Sequence, residues 1–311
     1  MLFSCKEKDK TSPKAESLSK TYAEISIKEG GIWKENIYEG GQYTNVNKLT
    51  LPEQHTDHSN YIRYEGPGWE NKQVAYRLYS DWRNAIDIFG KKVDSIVLPY
   101  VGQPNTSSYH EPSKWGQDIL KAGNSLGLGG FGRLVNDTVV HFKNTAKTDI
   151  DVQNTNTSSS VNLMYKNWIT GADTINLKAS LTIYPTDRYT KVTLTPSYPI
   201  ANICTGIVLF EQIPLLKKQG AKWGYIATYG TQTLAKETDQ LGMALFYKLE
   251  EATLQKGTND HLVVFKPLDN ITYYFLAAWD QEKNGIQNKD GFMANLNKTL
   301  QILDNNNALP N

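Results

Sequence analysis

Residues 63–90 concentrate arginines, carboxylates and aromatic side chains in a stretch whose apolar content otherwise predicts buried β structure. Its charged and aromatic members are Arg77, Asp81, Arg83 and Asp87, and Tyr76, Tyr79, Trp82 and Phe89. A buried charge is costly unless it is paired or serves a ligand. The pattern therefore predicts either an ion-pair network that joins strands or a wall that binds a polar, ring-shaped ligand.

For the second alternative, the two arginines are the residues that would bind an acidic sugar. The planar fork of arginine matches a carboxylate bidentately, and aromatic faces can stack on sugar rings. We therefore expect Arg77 and Arg83 to bind the carboxylate of a uronic acid. The candidate substrate-binding residues in the same stretch are Trp69, Tyr79 and Asp81.

A loop further along holds three adjacent groups that could move a proton, Tyr109, His110 and Glu111. Histidine titrates close to neutral pH and can act as a general acid or base. Nearby, Trp115 offers a stacking face for substrate and Asp118 offers another acid. We predict the three loop residues as catalytic; the alternative is a surface histidine that caps a helix.

A third group of candidates follows an apolar strand in the second half of the chain. Glu211 closes that strand, as a base at the concave face of a sheet would, and Trp223, Tyr225 and Tyr229 could form a sugar platform. Glu211 and Trp223 are therefore included among the expected substrate-binding residues. The alternative is ordinary packing between neighbouring strands.

Metal and cofactor chemistry have little support in the sequence. His55 and His58 lie near Glu53 and Asp57 with loose metal-like spacing, but a third firm ligand is missing, so a solvated loop is favoured. We therefore predict no metal site and no cofactor. Motifs of serine hydrolases, zinc proteases and nucleotide triphosphatases are absent from the sequence.

A glycine-rich segment, residues 123–132, resembles a phosphate-binding loop only superficially. No Lys-Ser or Lys-Thr pair follows it and no βαβ unit surrounds it. We predict a tight turn at which the backbone passes close to another element or a ligand.

Alternating apolar and polar residues predict an all-β chain. Residues 180–184 and 191–195 read as a hairpin, and residues 261–265 and 271–279 read as a second strand pair. Helices are few. Ser113 could cap a short helix from Lys114 to about Gly123. Apolar residues at helical spacing predict a packing helix near the C-terminus, with Met293, Leu296, Leu300 and Leu303 on one face. The expected fold is a large antiparallel β-sandwich.

The N-terminal residues predict a lipoprotein. Leu2-Phe3-Ser4-Cys5 resembles a bacterial lipobox, and residues 6–20 are charged and rich in Ser, Lys and Pro, as a flexible tether would be. We expect residues 1–20 to be this tether, with Cys5 lipidated, and residues 21–311 to form one domain. Cys5 and Cys204 form no disulfide framework. A net charge of +1 gives no reason to expect a nucleic-acid partner.

Three motifs resemble a known family. Glu65-Gly-Pro-Gly-Trp-Glu, the stretch from Tyr76 to Lys91, and Ser108-Tyr-His-Glu with Trp115-Gly-Gln-Asp-Ile-Leu-Lys are similar to the Bacteroidota family of domain of unknown function 4861. The resemblance extends from about residue 22 to the end of the chain. It implies a galactose-mutarotase-like supersandwich and a role in degrading uronate-containing polysaccharides such as pectin or alginate.

Together, the residues and the resemblance predict a lipid-anchored protein of the periplasm or outer-membrane surface that acts on an acidic oligosaccharide. As an enzyme it would be a lyase, an epimerase or a hydrolase, with arginines neutralising the uronate carboxylate. The alternative is a carbohydrate-binding lipoprotein without chemistry, which would use the same arginines and aromatic residues. Its membrane contact would be the lipid at Cys5 alone.

Overall fold

The computed structural model describes residues 20–104 and 108–311. The predicted lipidation residue, Cys5, lies outside them. In the described ranges, no helix combines the length and apolar character that crossing a bilayer requires.

The strands of the described residues form three antiparallel sheets, whose strands are given below in their spatial order. The six-stranded sheet comprises β2 (Ile37–Val46), β1 (Thr21–Lys34), β4 (Gly68–Asn71), β5 (Ala75–Leu78), β6 (Ile86–Lys91) and β7 (Gly116–Asp118). The nine-stranded sheet comprises β15 (Leu216–Gln219), β16 (Trp223–Gly230), β17 (Leu241–Lys248), β20 (Ile271–Trp279), β13 (Thr190–Pro196), β12 (Asp173–Ile183), β11 (Ser159–Thr170), β10 (Lys147–Asn154) and β3 (Lys48–Thr50). The five-stranded sheet comprises β18 (Ala252–Lys256), β19 (Asp260–Phe265), β14 (Ile203–Val208), β8 (Leu128–Val135) and β9 (Thr138–Val140).

The main core lies between these sheets and draws residues from all three, including Trp69, Phe131 and Leu245. Strand β12 illustrates how a strand contributes to this core: every second side chain from Ile175 to Ile183 is buried, and the residues between them face outward. The predicted all-β supersandwich with few helices is confirmed.

One α-helix, α1 (Lys289–Asn306), covers part of the outer face of the nine-stranded sheet. Its buried residues include Leu296, Leu300 and Leu303, as their spacing predicts. The helix begins where Asn288 accepts a hydrogen bond from the Gly291 amide. The C-terminal packing helix is therefore confirmed.

Two expectations about local structure are wrong. Strands β19 and β20 do not pair with each other, because the turn between them carries the chain from the five-stranded to the nine-stranded sheet. The helix expected from Lys114 to about Gly123 is absent, and β7 pairs with β6 there instead. Ser113 Oγ accepts hydrogen bonds from the amides of Trp115 and Gly116, so it caps a turn rather than a helix.

The glycine-rich segment does bring the backbone close to other elements. A Cβ on Gly127, which has a φ of +69°, would lie 2.0 Å from the carbonyl oxygen of Ile86. A Cβ on Gly129, with a φ of +75°, would lie 2.3 Å from the Phe275 ring. Only glycine fits both the positive φ and the close approach.

Candidate functional site

Strands β5 and β6 place Arg77 directly opposite Asp87. Side chains alternate between the faces of a strand, so Arg77 lies on the face of Ala75, opposite that of Tyr76 and Leu78. Both faces are covered: Tyr76 and Leu78 belong to the main core and Ala75 to a second cluster. Consequently Arg77 and Asp87 are each 0 % exposed.

The guanidinium of Arg77 is fully engaged by the protein. Its Nη2 and Nε donate to Asp87 Oδ2 at 2.5 and 3.2 Å. Nη1 donates to the Tyr64 carbonyl at 3.0 Å and to Glu65 Oε2 at 3.4 Å, and Nη2 also donates to Tyr79 Oη at 2.5 Å. The expectation that Arg77 binds a substrate carboxylate is wrong, because the group is buried and already paired.

Two tyrosines and two arginines form a continuous stack in the order Tyr109, Arg77, Tyr79, Arg83. The guanidinium carbon of Arg77 lies 4.0 Å from the Tyr109 ring centroid and 4.1 Å from that of Tyr79. The guanidinium carbon of Arg83 lies 4.0 Å from the Tyr79 centroid. Tyr79 is 7 % exposed and already contacts both guanidinium groups, so it offers no open surface on which a sugar could stack, which corrects its expected role.

Arg83 closes the other end of the stack and is bound by two carboxylates. Its Nε donates to both oxygens of Asp81, at 3.0 and 2.9 Å, and its Nη2 donates to Asp57 Oδ1 at 2.7 Å. The Arg83 side chain is 12 % exposed. Arg83 and Asp81 are therefore paired with each other and are not free to bind a ligand. Both arginines belong to an ion-pair network within the protein, which is the first of the two alternatives that the sequence predicted.

A histidine–aspartate dyad lies at the Tyr109 end of the stack. His110 Nδ1 is 2.7 Å from Asp118 Oδ2. The two side chains differ sharply in exposure, 57 % for His110 and 3 % for Asp118. Asp118 is fixed from behind, since its Oδ1 accepts from the Leu120 amide at 3.1 Å and Arg77 Nη2 lies 3.9 Å from its Oδ2. The dyad thus presents an exposed imidazole on a buried, anchored carboxylate.

The three loop residues predicted as catalytic differ in burial, and two of them in the direction in which their surroundings favour a charge. The hydrogen bond to Asp118 raises the pKa of His110, which favours the imidazolium form. Tyr109 is 3 % exposed, and burial raises the pKa of its phenol well above the ordinary value. Proton transfer would need an accessible phenol with a lowered pKa, so the catalytic expectation for Tyr109 is corrected. Glu111 is exposed in the turn beside His110.

Replacing Asp118 with asparagine should lower the pKa of His110, because the amide keeps a hydrogen-bond acceptor but loses the charge that favours the imidazolium. NMR titration of the histidine Cε1–H resonances measures this directly. The pair also stabilises the fold: its contribution is fully present below the unfolded-state pKa of histidine and is lost as the pH rises through the raised native pKa. The control, Asp137→Asn in an exposed turn, should leave the His110 titration unchanged. An identical His110 pKa in the Asp118→Asn protein would contradict the dyad.

A charged chain connects the dyad with Arg83 along the surface. Glu65, which pairs with Arg77, has its Oε1 3.6 Å from His58 Nδ1. His58 Nδ1 lies 2.9 Å from Asp57 Oδ1, the atom that also accepts from Arg83. His58 has a φ of 60° and Glu65 a φ of 67°, a left-handed conformation that costs energy in both residues and concentrates at functional sites.

Three members of the charged chain could in principle ligate a metal. Asp57, His58 and Glu65 each offer one ligand atom, and these atoms lie within 4.8 Å of one another. Arg83 already binds Asp57, and Arg77 already binds Glu65. These two cations occupy the carboxylates and oppose a further positive charge. The sequence indicated this loop, but Glu65 joins it only through the fold.

The other predicted site residues are dispersed. Trp69 and Trp223 are both 0 % exposed, with their Nε1 atoms donating to Thr190 Oγ1 and Asn307 Oδ1, so neither can stack on a sugar. The Glu211 side chain is 78 % exposed, and it forms an ion pair with Lys256, at 3.6 Å. These residues are not brought to the dyad.

Trp115 is the predicted aromatic residue that stays accessible near the dyad. It is half-buried, and its ring centroid lies 5.9 Å from that of Tyr100 with the planes inclined by 33°. Tyr100 is 55 % exposed. No sequence pattern pointed to Tyr100, which follows a proline and reaches Trp115 because of the short 3₁₀ helix at Leu98–Tyr100.

Comparison with known proteins identifies the family but no activity. The family model described as Domain of unknown function (DUF4861) matches residues 3–307. No curated protein matches the sequence. Among solved structures, the chain is similar to one described as "Putative kojibiose phosphorylase from human microbiome", with a TM-score of 0.42 and 12 % identity over 74 % of this chain. The match spans 32 % of that longer chain.

Proposed function

This chain belongs to the family described as Domain of unknown function (DUF4861), and we propose that it acts on an acidic oligosaccharide at the His110–Asp118 dyad. The proposed chemistry is that of a lyase, an epimerase or a hydrolase with a uronate-containing substrate. Anchoring in the bacterial envelope through a lipid on Cys5 belongs to the same proposal.

The observation that carries the proposal is the contrast in exposure within the dyad. Asp118 engages Nδ1 of His110 at 2.7 Å, so Nε2 is the ring nitrogen left for proton exchange with a ligand. An exposed imidazole oriented by a buried carboxylate is an arrangement suited to general acid–base catalysis. The Arg77 contact with Asp118 keeps that carboxylate in place.

An acidic substrate fits the charge of this histidine. Because the pKa of His110 is raised, a larger fraction carries a positive charge near neutral pH, and that charge attracts a uronate carboxylate. Arg77 and Arg83 cannot fill this role directly, since both are already paired with acids. The half-exposed ring of Trp115, beside Tyr100, offers an aromatic surface for the sugar.

In a lyase or epimerase step, the fraction of His110 that is neutral would take the proton from the carbon next to the uronate carboxylate through Nε2. The electron pair of that C–H bond would become the carbon–carbon double bond of the enolate. An epimerase would return a proton to the opposite face. A lyase would break the glycosidic C–O bond at the neighbouring carbon, with the departing oxygen taking a proton. Glu111, exposed beside His110, is the residue available for a second proton transfer.

A binding protein without chemistry is the second candidate. It is favoured by the burial of Tyr109, which removes one of the three proton-transfer groups predicted for the loop. Aromatic residues and a cationic histidine suffice to hold an acidic sugar without reacting with it.

Incubating the protein with saturated and unsaturated oligogalacturonates distinguishes the candidates. A cleaved or hydrated product detected by mass spectrometry, or an epimerised product of unchanged mass detected by NMR, supports an enzyme. Binding heat in calorimetry without product supports a binding protein. Neither binding nor product with these acidic oligosaccharides, or with oligomers of the other common uronates, would overturn the proposal.

A further inference from the structure

A cavity of about 360 Å³ lies at the other end of the arginine–tyrosine stack. It is formed by residues 51–56, residues 80–84 and residues 142–148, and strands β10 and β11 close it from below. We name it the Trp82 pocket. Cavities that bind small molecules usually measure about 300–1,000 Å³, so the volume suits one or two sugar rings.

Trp82 is an exposed but fixed aromatic residue at this pocket. Its side chain is among the exposed large hydrophobic groups, at 40 %. The indole meets the His141 ring edge-on at 5.4 Å, and its backbone carbonyl accepts from the Phe142 amide at 3.0 Å. His141 is itself held, because its Nδ1 lies 2.7 Å from the Arg83 carbonyl. A ligand that stacks on Trp82 therefore meets a surface that needs little ordering on binding.

The interior of the pocket is aromatic and rigid. The Phe142 ring lies 3.9 Å from that of Tyr165 and 4.2 Å from that of Trp168. Tyr165 Oη is hydrogen-bonded to Asn84 Oδ1, so its phenol is satisfied within the protein. An apolar, aromatic interior with polar groups around it is the usual composition of a site for a small molecule.

The polar lining of the pocket is close to neutral in charge. Burial lowers the pKa of His55 to about 4, so its imidazole is uncharged at neutral pH. Both oxygens of Asp81 are occupied by Arg83. Glu53 and Lys143 lie exposed at the lining and carry opposite charges that cancel, and Lys147, the other lining lysine, is paired with Asp149 at 2.8 Å. Such a lining does not select a charged ligand, whereas Thr56 and Thr145 offer hydroxyl groups for hydrogen bonds.

We propose that the Trp82 pocket binds one neutral pyranose ring, stacked on the indole of Trp82. This inference concerns binding alone and does not depend on chemistry at His110.

The test uses the full chain, isotopically labelled, with methyl β-D-galactopyranoside and methyl β-D-glucopyranoside as probes. The indole Nε1–H resonance of Trp82, assigned from Trp82→Phe, should shift saturably with at least one probe, while that of Trp33 stays unmoved. Sorbitol, which carries hydroxyl groups but no ring, should have no effect. The proposal would be overturned if the Trp82 resonance did not shift with either glycoside, or if it shifted equally with sorbitol.

Variants separate this site from the proposed function. Trp82→Ala should weaken glycoside binding by about tenfold or more, because a stacked aromatic surface is lost. Ala146→Trp, a change at an exposed lining residue, should block the pocket without touching Trp82. Tyr198→Ala removes an exposed aromatic residue outside the pocket and should leave binding unchanged. His110→Gln should also bind the glycosides normally, so loss of turnover and loss of this site are distinguishable. Undiminished binding in the folded Ala146→Trp protein would contradict the pocket as the site.

Discussion

Replacing Arg77 with leucine should lower the free energy of unfolding by about 3–5 kcal/mol, the usual cost of removing one partner from a buried ion pair. Arg77 is the cation nearest to Asp87, and it also contacts Asp118 and Glu65. Without it, the carboxylates of Asp87 and Asp118 lose their shared counter-charge inside the protein. Chemical denaturation at constant temperature measures the change.

The loss from Arg77→Leu should depend on pH in a defined direction. Burial, with the nearby negative charge of Asp118, already raises the pKa of Asp87 to about 7 in the intact network. A carboxyl whose native pKa lies above its unfolded value weakens the fold as the pH rises through the window between them, because the native state must then hold a buried charge. Removing Arg77 takes away the group that opposes this shift. We therefore expect the destabilisation to be smaller at pH 5 than at pH 8.

Two further variants control the Arg77 experiment. Lys48→Met removes a cation from an exposed pair with Asp151 and should cost less than about 1 kcal/mol. Adding Asp87→Asn to Arg77→Leu should recover part of the lost stability, since it removes a carboxylate left without a partner. A loss as small as that of Lys48→Met, with no recovery in the double variant, would show that the buried network does not hold the strands together.

Replacing His110 with glutamine should lower kcat/KM on a reacting acidic oligosaccharide by about 10²–10⁴-fold, the range that a positioned general acid or base contributes. Glutamine can still hydrogen-bond to Asp118 but cannot exchange a proton at neutral pH. The fold should be little affected, since the His110 side chain is 57 % exposed. Steady-state kinetics with matched thermal unfolding curves makes the comparison.

His58→Gln is the matched control for this second experiment. His58 is also an exposed histidine beside carboxylates, with 78 % of its side chain accessible, but it lacks a buried aspartate behind it. Its replacement should change kcat/KM by less than about threefold. Equal losses in the two variants would mean that the charged surface as a whole, rather than the dyad, supports turnover. Full activity in His110→Gln would remove His110 from the chemistry.

Sequence patterns correctly predicted the elements in which buried apolar residues recur at the regular spacing of a helix or a strand. The C-terminal helix follows from its apolar spacing, and the hairpin of β12 and β13 from strict alternation. The pairing expected for β19 and β20 failed because a short turn permits a hairpin but does not require one. The helix expected after Ser113 failed because Gly116 packs onto the backbone of Gly90, a tertiary contact that no local propensity reveals.

At the candidate site too, some features followed from residue types alone and others depended on the fold. Residue types alone indicated that Arg77 needed a carboxylate, but the choice between ligand and protein depended on the register that places it opposite Asp87. His110 was identified as a candidate because of its chemistry. The role of Asp118 required the fold, since its hydrogen bond to His110 arises from the turn that leads into β7. Tyr100 and the Trp82 pocket likewise combine residues that are distant in the chain.

The most direct test is a titration of the labelled protein with trigalacturonate, following the histidine Cε1–H resonances. If the dyad binds an acidic oligosaccharide, the His110 resonance shifts saturably, and the resonance of His261, on the five-stranded sheet, stays in place. This result is expected whether the protein transforms the sugar or only binds it. Trigalacturonate that binds by calorimetry while the His110 resonance remains unmoved would contradict the dyad as the site.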